Sequence, residues 1–329
     1  MRNWAINRTT TRAMLASVIG RGGFLGSAVS VALNRFAIPE FIGKSKLSWP
    51  SENSSFQIEL FKHSLDLYLD ELGELQSGSR IAVFWCAGRT FPRSDHLEVE
   101  LDRLLFDLVI GSLLKRFGGP NLHVIYASSA GGLYSDFSHG PFGPQSPVSP
   151  RTPYGLMKLA GEEHLQSLSS REGSTWTIAR ISNLYGPRQN LEKTQGVISK
   201  LAISAISKIP IPIFVPFDTV RNYIYVDDAA EKLVRFAEEH FGLSSTQLVA
   251  SPDNLSLSSV LGTCNRVFGR RPVVVHCDLG IADEYSRNLA MRSSFDKHDR
   301  HTPFSHGLMT VWADTLQRMC SVGPPGLKA

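Results

Sequence analysis

The chain has 329 residues, 42% of them apolar and 19% charged, with a formal net charge of +4. That length allows a sizeable core in one large or two small domains. The charge is mild, no basic run is interleaved with aromatics, and no apolar run approaches the roughly 18 residues of a membrane span, so neither a nucleic-acid nor a membrane partner is expected.

Residues 1–12 hold three arginines and no acid; the first acid is Glu40. This stretch reads as a short disordered extension, or as an early start with Met14 nearer the natural beginning. A transit peptide fits less well, because the first core strand begins near Ala13 and leaves little to cleave. Residues 13–19 read as a short buried strand. Gly20-Arg21-Gly22-Gly23-Phe24-Leu25-Gly26 follows at once, and Ser27 to Phe36 reads as a helix with Ala28, Val31, Ala32 and Phe36 on its apolar positions. Strand, glycine turn and helix make a diphosphate cradle. Gly20 and Gly23 let backbone approach the pyrophosphate, Gly26 lets the helix pack on the sheet, and the helix N-terminus faces the negative charge. The next strand is placed at Phe36 to Ile42. No acid follows it in Gly43-Lys44-Ser45-Lys46, and Arg21 lies inside the glycine turn. Cations there suit a 2′-phosphate, so NADP is slightly favoured over NAD; plain solvation of Lys44 and Lys46 is the alternative.

Ile81 to Gly88 reads as a buried strand whose small end, Ala87-Gly88, permits close passage of a cofactor. Leu97 to Phe117 is a long helix, and Leu122 to Ala127 is the strand that delivers Ser128-Ser129. Alternating strands and helices predict an α/β fold, a Rossmann-type doubly wound parallel sheet. In such sheets ligands bind beyond the carboxyl ends of the strands, where Gly20, Ala87 and Ser129 fall.

Tyr154 and Lys158 carry the chemistry. Residues four apart on a helix share a face. A free phenol has a pKa of about 10 and is a poor base at neutral pH; a nearby ammonium favours the phenolate. Tyr154 can then take a proton from a sugar hydroxyl as hydride leaves its carbon, or return one to a ketone. Ser129 would hydrogen-bond the same oxygen. A lone Tyr-x-x-x-Lys is usually a surface pair; the glycine turn and serine pair upstream decide the reading.

With these motifs in order, the chain resembles the extended short-chain dehydrogenase/reductases, and within them the NAD-dependent epimerase/dehydratase group acting on nucleotide sugars. The resemblance runs from about Ala13 to Arg318. It rests on Gly20, Gly23 and Gly26, on Ser128-Ser129, on Tyr154-Gly155-Leu156-Met157-Lys158, on Arg180-Ile181-Ser182-Asn183-Leu184-Tyr185-Gly186-Pro187, and on Arg221-Asn222-Tyr223-Ile224-Tyr225-Val226-Asp227-Asp228. It implies that Asn183 contacts the sugar-nucleotide side of the site and that Arg221 contacts the substrate diphosphate. Asp227-Asp228 is read as a cap for a helix starting at Ala229. A homodimer is implied, through two helices that include the one carrying Tyr154.

Three departures narrow the activity. Ala130-Gly131 follows Ser129 where sugar 4,6-dehydratases carry an Asp-Glu pair, and no extra cysteine stands nearby for epimerisation at carbons 3 and 5. Redox at one carbon remains: 4-epimerisation, with ketone reduction as the alternative and a non-catalytic dinucleotide-binding regulator as a third reading. Gly131-Gly132 lengthens the loop by one residue, so Ser128 is the alternative to Ser129. Asn222 stands where the family usually has Asp.

After Pro187 the chain is read mostly as a smaller substrate-binding lobe, residues 188–329 with segments returning to the sheet; residues 13–187 form the dinucleotide-binding part. Helices are expected over Val197–Ser207, Ser256–Phe268 and Met309–Met319, an edge strand within Ile209–Pro216, and a strand at Val273–Val275. His139, Arg270, Arg271 and Arg292 are read as solvated. Cys86, Cys264, Cys277 and Cys320 form no metal spacing and fit free thiols in a reducing cytoplasm, with no metal ligated.

Overall fold

The computed structural model describes residues 14–75, 79–134, 140–192, 196–277, 287–295 and 301–322. Ala13, the residues before it, and His139 lie outside these ranges.

Six parallel strands form the main sheet: β1 (Met14–Ile19), β2 (Glu40–Phe41), β3 (Arg80–Trp85), β4 (Leu122–Ser129), β5 (Thr175–Ile181) and β9 (Ser245–Val249), in the order β2-β1-β3-β4-β5-β9. Strand alternation sends successive side chains to opposite faces. Along β3, Ile81, Val83 and Trp85 enter one core while Ala82 and Phe84 enter the other. The first core is closed by α2 (Ser55–Glu74), α3 (His96–Phe117) and α5 (Pro153–Glu172), through Phe61, Leu65, Leu105, Leu113 and Leu165. The second is closed by α1 (Phe24–Arg35) and α7 (Val226–Glu239), through Val29, Leu33, Leu233 and Val234. With both faces covered, parallel strands become continuous apolar runs, as the sequence shows.

The edge differs from expectation. β2 has two residues, not seven, because α1 runs on to Arg35 and residues 36–39 turn back into the sheet. The usual doubly wound order has a further strand outside the second. Here β2 is the edge, and the chain crosses by α2 directly to β3. That helix was not read from the sequence. Its signals are present: Ser54 accepts from the Gln57 N–H as N-cap, and Ile58, Phe61, Leu65, Leu69 and Leu72 are buried at helical spacing.

The smaller lobe is built on β8 (Val220–Tyr225), which pairs with β10 (Asn254–Ser256), β12 (Asn288–Leu289) and β6 (Asn183–Tyr185), and on a second pair, β7 (Ile211–Ile213) with β11 (Val274–His276). The helices α6 (Val197–Ser207), α8 (Leu257–Phe268) and α9 (Phe304–Val322) pack around Leu201, Tyr223, Val260, Cys264 and Leu308. Ser256 caps α8 by accepting from the Ser259 N–H. The helix after β8 begins at Val226, so Asp227 and Asp228 lie in its first turn and do not cap it at Ala229. There they oppose the positive end of the helix dipole, and Asp228 also accepts from the Thr302 N–H and hydroxyl. No helix among the described residues is long and apolar enough to cross a membrane.

Candidate active site

A cleft of about 830 Å³ opens where the carboxyl ends of β1, β3, β4 and β5 face the smaller lobe. Its dinucleotide side begins at the glycine turn. Gly20 has φ +87°, and a Cβ on it would lie 2.5 Å from the Ala87 nitrogen. A Cβ on Gly26 would lie 2.2 Å from the Gly20 carbonyl oxygen. Side chains at either place would push α1 and the β3 end off the turn. Gly23 is the N-cap of α1 and no side chain accepts from its first-turn amides. Those amides are orphan donors at the positive end of the helix, suited to a diphosphate. The turn therefore fits a dinucleotide.

An acid does stand at the second strand, contrary to the acid-free reading. Glu40 opens β2; its carboxylate takes Arg21 Nε at 2.8 Å and the Ser30 hydroxyl at 2.9 Å. Arg21 is half exposed and Glu40 largely covered, so the cation counted toward a 2′-phosphate is already neutralised. Glu71, from α2, likewise accepts from the Lys44 and Ser45 N–H groups at 2.6 and 3.0 Å. Placing the strand over residues 36–42 hid Glu40 inside it.

At the end of β3, Cys86, Ala87 and Gly88 line the cleft. Burial pushes the Cys86 thiol up to about 12 despite the nearby Lys158 charge. Asp102 fixes the following loop by accepting from the N–H groups of Arg89 and Thr90 and from the Thr90 hydroxyl, at 2.8, 2.9 and 2.7 Å.

The end of β4 separates the two serines. The Ser128 hydroxyl donates to Glu162 Oε1 at 2.6 Å and is buried. Ser129 accepts from the Gly132 N–H at 3.1 Å, capping the one-turn helix α4 (Ala130–Leu133). Gly132 lies against both partners of the expected set: its absent Cβ would be 3.0 Å from the Tyr154 ring and 3.4 Å from Ser129 Oγ.

Tyr154 sits in the first turn of α5, where Thr152 accepts from the Gly155 N–H and Pro153 fixes the entry. Lys158, one turn on, is buried. Its Nζ donates to the Ala127 carbonyl at 3.0 Å and lies 5.1 Å from the Tyr126 ring centroid and 5.8 Å from that of Tyr154. Burial pulls the ammonium pKa down, but the phenol oxygens of Tyr126 and Tyr154 and the Asp102 carboxylate together lift it above its ordinary value. Lys158 is therefore a fixed positive charge beside Tyr154.

Behind them lies a network that sequence reasoning did not single out. Glu162, two turns beyond Tyr154 on the same helix face, receives Arg180 Nη2 at 2.7 Å. Arg180 Nη1 reaches the Tyr134 hydroxyl and the Pro144 carbonyl, and Tyr134 donates to the Gly143 carbonyl. The spacing of eight from Tyr154 was a readable signal for Glu162.

On the lobe side, the Asn183 amide donates to the Asn222 carbonyl at 2.9 Å, and Arg221 Nη1 donates to the Val220 carbonyl. Both line the cleft. Asp227 has Arg188, at 3.9 Å, as its neighbour. Asn222 is fully buried and bonds Ser182, Ser251 and Asn254, so it holds β8 to its surroundings and does not face the cleft chemistry. Arg270, Arg271 and Arg292 are exposed.

One cleft thus brings together Gly23, Phe24, Leu25, Ala87, Gly88, Ser128, Ser129, Tyr154, Lys158, Asn183 and Arg221. Gly20 and Gly26 act behind its wall, and Arg21 is held at the sheet edge by Glu40.

The profile of the NAD dependent epimerase/dehydratase family matches residues 16–248. The chain belongs to that family. Among curated relatives, a dTDP-4-dehydro-6-deoxyglucose reductase from Escherichia coli is 25% identical over 265 residues, 78% of this chain and 83% of the relative. A putative UDP-glucose 4-epimerase from Methanocaldococcus jannaschii is 36% identical over 109 residues, and that match spans 33% of this chain and 35% of the relative. The solved UDP-glucose 4-epimerase of Thermus thermophilus, in complex with NAD, superposes with a TM-score of 0.72 at 20% identity, over 92% of this chain and 99% of that one. The Thermotoga maritima UDP-glucose 4-epimerase with UDP-glucose gives 0.74 at 19% identity, over 93% and 99%. These two likenesses concern the fold. Family membership assigns the cofactor class, a nicotinamide dinucleotide, which the glycine cradle fits.

Proposed function

We propose that the protein is a nucleotide-diphosphate-sugar 4-epimerase that inverts one ring carbon with Tyr154 as acid and base. The observation that carries this reading is the convergence of Ser129, Tyr154 and the fixed Lys158 ammonium at the base of one cleft, between a dinucleotide cradle and the cationic lobe. The nicotinamide, when bound, supplies reversible hydride chemistry. Tyr154 removes the proton from the sugar hydroxyl and later returns it; Lys158 stabilises the phenolate by its charge. Ser129 positions the hydroxyl oxygen, since Ser128 is committed to Glu162. Gly20, Gly23 and Gly26 with the first turn of α1 hold the dinucleotide diphosphate, Ala87 and Gly88 let it pass, and Arg221 and Asn183 hold the substrate diphosphate and nucleotide. Residues 13–187 so form the dinucleotide part and the later residues most of the substrate part. Two copies pair through α3 and α5, a reading supported by the exposed Leu97 and Leu156.

A second reading, a nucleotide-sugar ketoreductase, is favoured by a relative that matches 78% of the chain and is itself a reductase. Under it NADP is the preferred cofactor, drawn by the exposed Lys44 and Lys46. The test is incubation with UDP- and dTDP-hexoses and their 4-keto forms. Appearance of the 4-epimer without added cofactor supports epimerisation. Oxidation of NADPH only with a 4-keto sugar supports reduction. Neither product, and no effect of Tyr154→Phe on cellular function, would return the protein to the non-catalytic regulator class.

A further inference from the structure

The segment that carries Ser129 is short. It runs from Ser128, at the end of β4, through α4 to Tyr134. Its middle rests directly on the start of α5. A Cβ on Gly155 would lie 2.2 Å from the Gly132 carbonyl oxygen, and one on Gly132 would lie 3.0 Å from the Tyr154 ring. The two glycines leave no side chain between turn and helix there, so a shift of the turn moves Ser129 against Tyr154.

One buried ion pair holds both ends of this segment. At the first end the Ser128 hydroxyl donates to Glu162 Oε1 at 2.6 Å. At the last end Arg180 Nη1 donates to the Tyr134 hydroxyl at 3.2 Å. The pair itself is closed by Arg180 Nε to Glu162 Oε1 at 3.1 Å and Nη2 to Oε2 at 2.7 Å. All four side chains are buried. Neither Glu162 nor Arg180 lines the cleft. Glu162 follows Lys158 by one turn of α5, so the pair is anchored to the helix that carries Tyr154 and Lys158. A buried ion pair is a weak source of net stability, but a planar guanidinium with several donors fixes several partners in one geometry. We propose that Glu162 and Arg180 are positioning residues: through Ser128 and Tyr134 they clamp the Ser129 turn in register with Tyr154 and so act on the chemical step. Misplacing a reacting group by about 1 Å can cost about a hundredfold in rate. The proposal rests on the reading of Ser129 and Tyr154 as the acid–base centre.

The test measures kcat, KM and retained nucleotide on the active nucleotide sugar, and amide hydrogen exchange of the free protein. The variants are Tyr134→Phe, Arg180→Lys and the two combined. Tyr134→Phe leaves the ion pair whole; Arg180→Lys keeps the charge beside Glu162 but loses the fork that reaches Tyr134. The Gly132 N–H bonds Ser129 Oγ and the Tyr134 N–H bonds the Ala130 carbonyl, so these two amides report the turn itself. Each single variant should lower kcat about tenfold, leave KM and nucleotide retention within about twofold, and speed exchange of both amides about tenfold. Both variants cut the same contact, so the double variant should lose no more kcat than the larger single one. Losses that multiply in the double variant overturn the clamp, as does a loss confined to KM or a kcat within about twofold of the wild type. Should either variant fold poorly, Ser128→Ala releases the other end with the ion pair intact and carries the same expectations. If the wild type turns over no nucleotide sugar, exchange decides alone: faster exchange in the variants keeps the clamp and sinks the acid–base reading, and unchanged exchange overturns the clamp.

Discussion

The two walls of the cleft are built on opposite principles. On the sheet side the three buried charges behind Tyr154 are matched: Glu162 by Ser128 and Arg180, Arg180 by Tyr134 and the Pro144 carbonyl, Lys158 by the Ala127 carbonyl. On the lobe side Lys200 is half-buried with no carboxylate partner among the described residues, and the Thr219 hydroxyl is buried with no partner among them. Buried polar groups are normally satisfied, and an orphan costs stability. The matched wall holds Tyr154 and Lys158 in one geometry. The unmatched wall keeps its polar capacity for what binds.

The sharpest way to break this comparison is Tyr154→Phe. It removes one oxygen from the matched wall, so turnover should fall by about a thousandfold with no loss of dinucleotide retention. A steady-state assay on the active sugar, with nucleotide quantified after denaturation, checks both halves. Next in size is Glu162→Gln, which leaves Arg180 charged and unmatched in a site where its side chain is 10% exposed. Removal of one partner from a buried pair should destabilise the fold by about 3 kcal/mol in urea denaturation. Removing the exposed Arg287–Asp218 pair, by contrast, should cost less than about 1 kcal/mol.

His123 extends the matched wall down β4, with Nδ1 2.7 Å from the Thr175 hydroxyl and Nε2 3.0 Å from that of Thr177. Burial, with a smaller push from His240, lowers it from 6.5 to about 4. The folded state thus holds it neutral while the unfolded chain protonates below 6.5. Stability from this group is complete above pH 6.5 and is lost as pH falls toward about 4. Denaturation midpoints across that window should drop for the wild type and flatten for His123→Gln. The smallest effect tests the other wall. Thr219→Val replaces an orphan hydroxyl with a methyl of like shape, so the free protein should gain about 0.5–1 kcal/mol. A loss of stability would show that the hydroxyl is satisfied after all.

Much of this was legible in the sequence because local rules and global fold agreed. The glycine turn, the small residues after β3, the serine pair and Tyr154-Lys158 each sit at a strand or helix end whose apolar run is unambiguous. The helices Val197–Ser207 and Leu257–Phe268 were readable for the same reason. What failed was pairing at a distance. Glu40 was visible as a residue, but its bond to Arg21 depends on where β2 stops. Arg93 and Phe214 are 121 positions apart in the chain and meet only because the loop after β3 reaches the lobe. Nothing local marks either one.

The most direct measurement is to denature the purified protein and identify the released nucleotide by mass spectrometry. An epimerase regenerates its cofactor each cycle and gains from never releasing it, so near-stoichiometric NAD or NADH is predicted. That result would also set aside the NADP preference. An empty site that binds neither NADH nor NADPH would contradict the account at its centre.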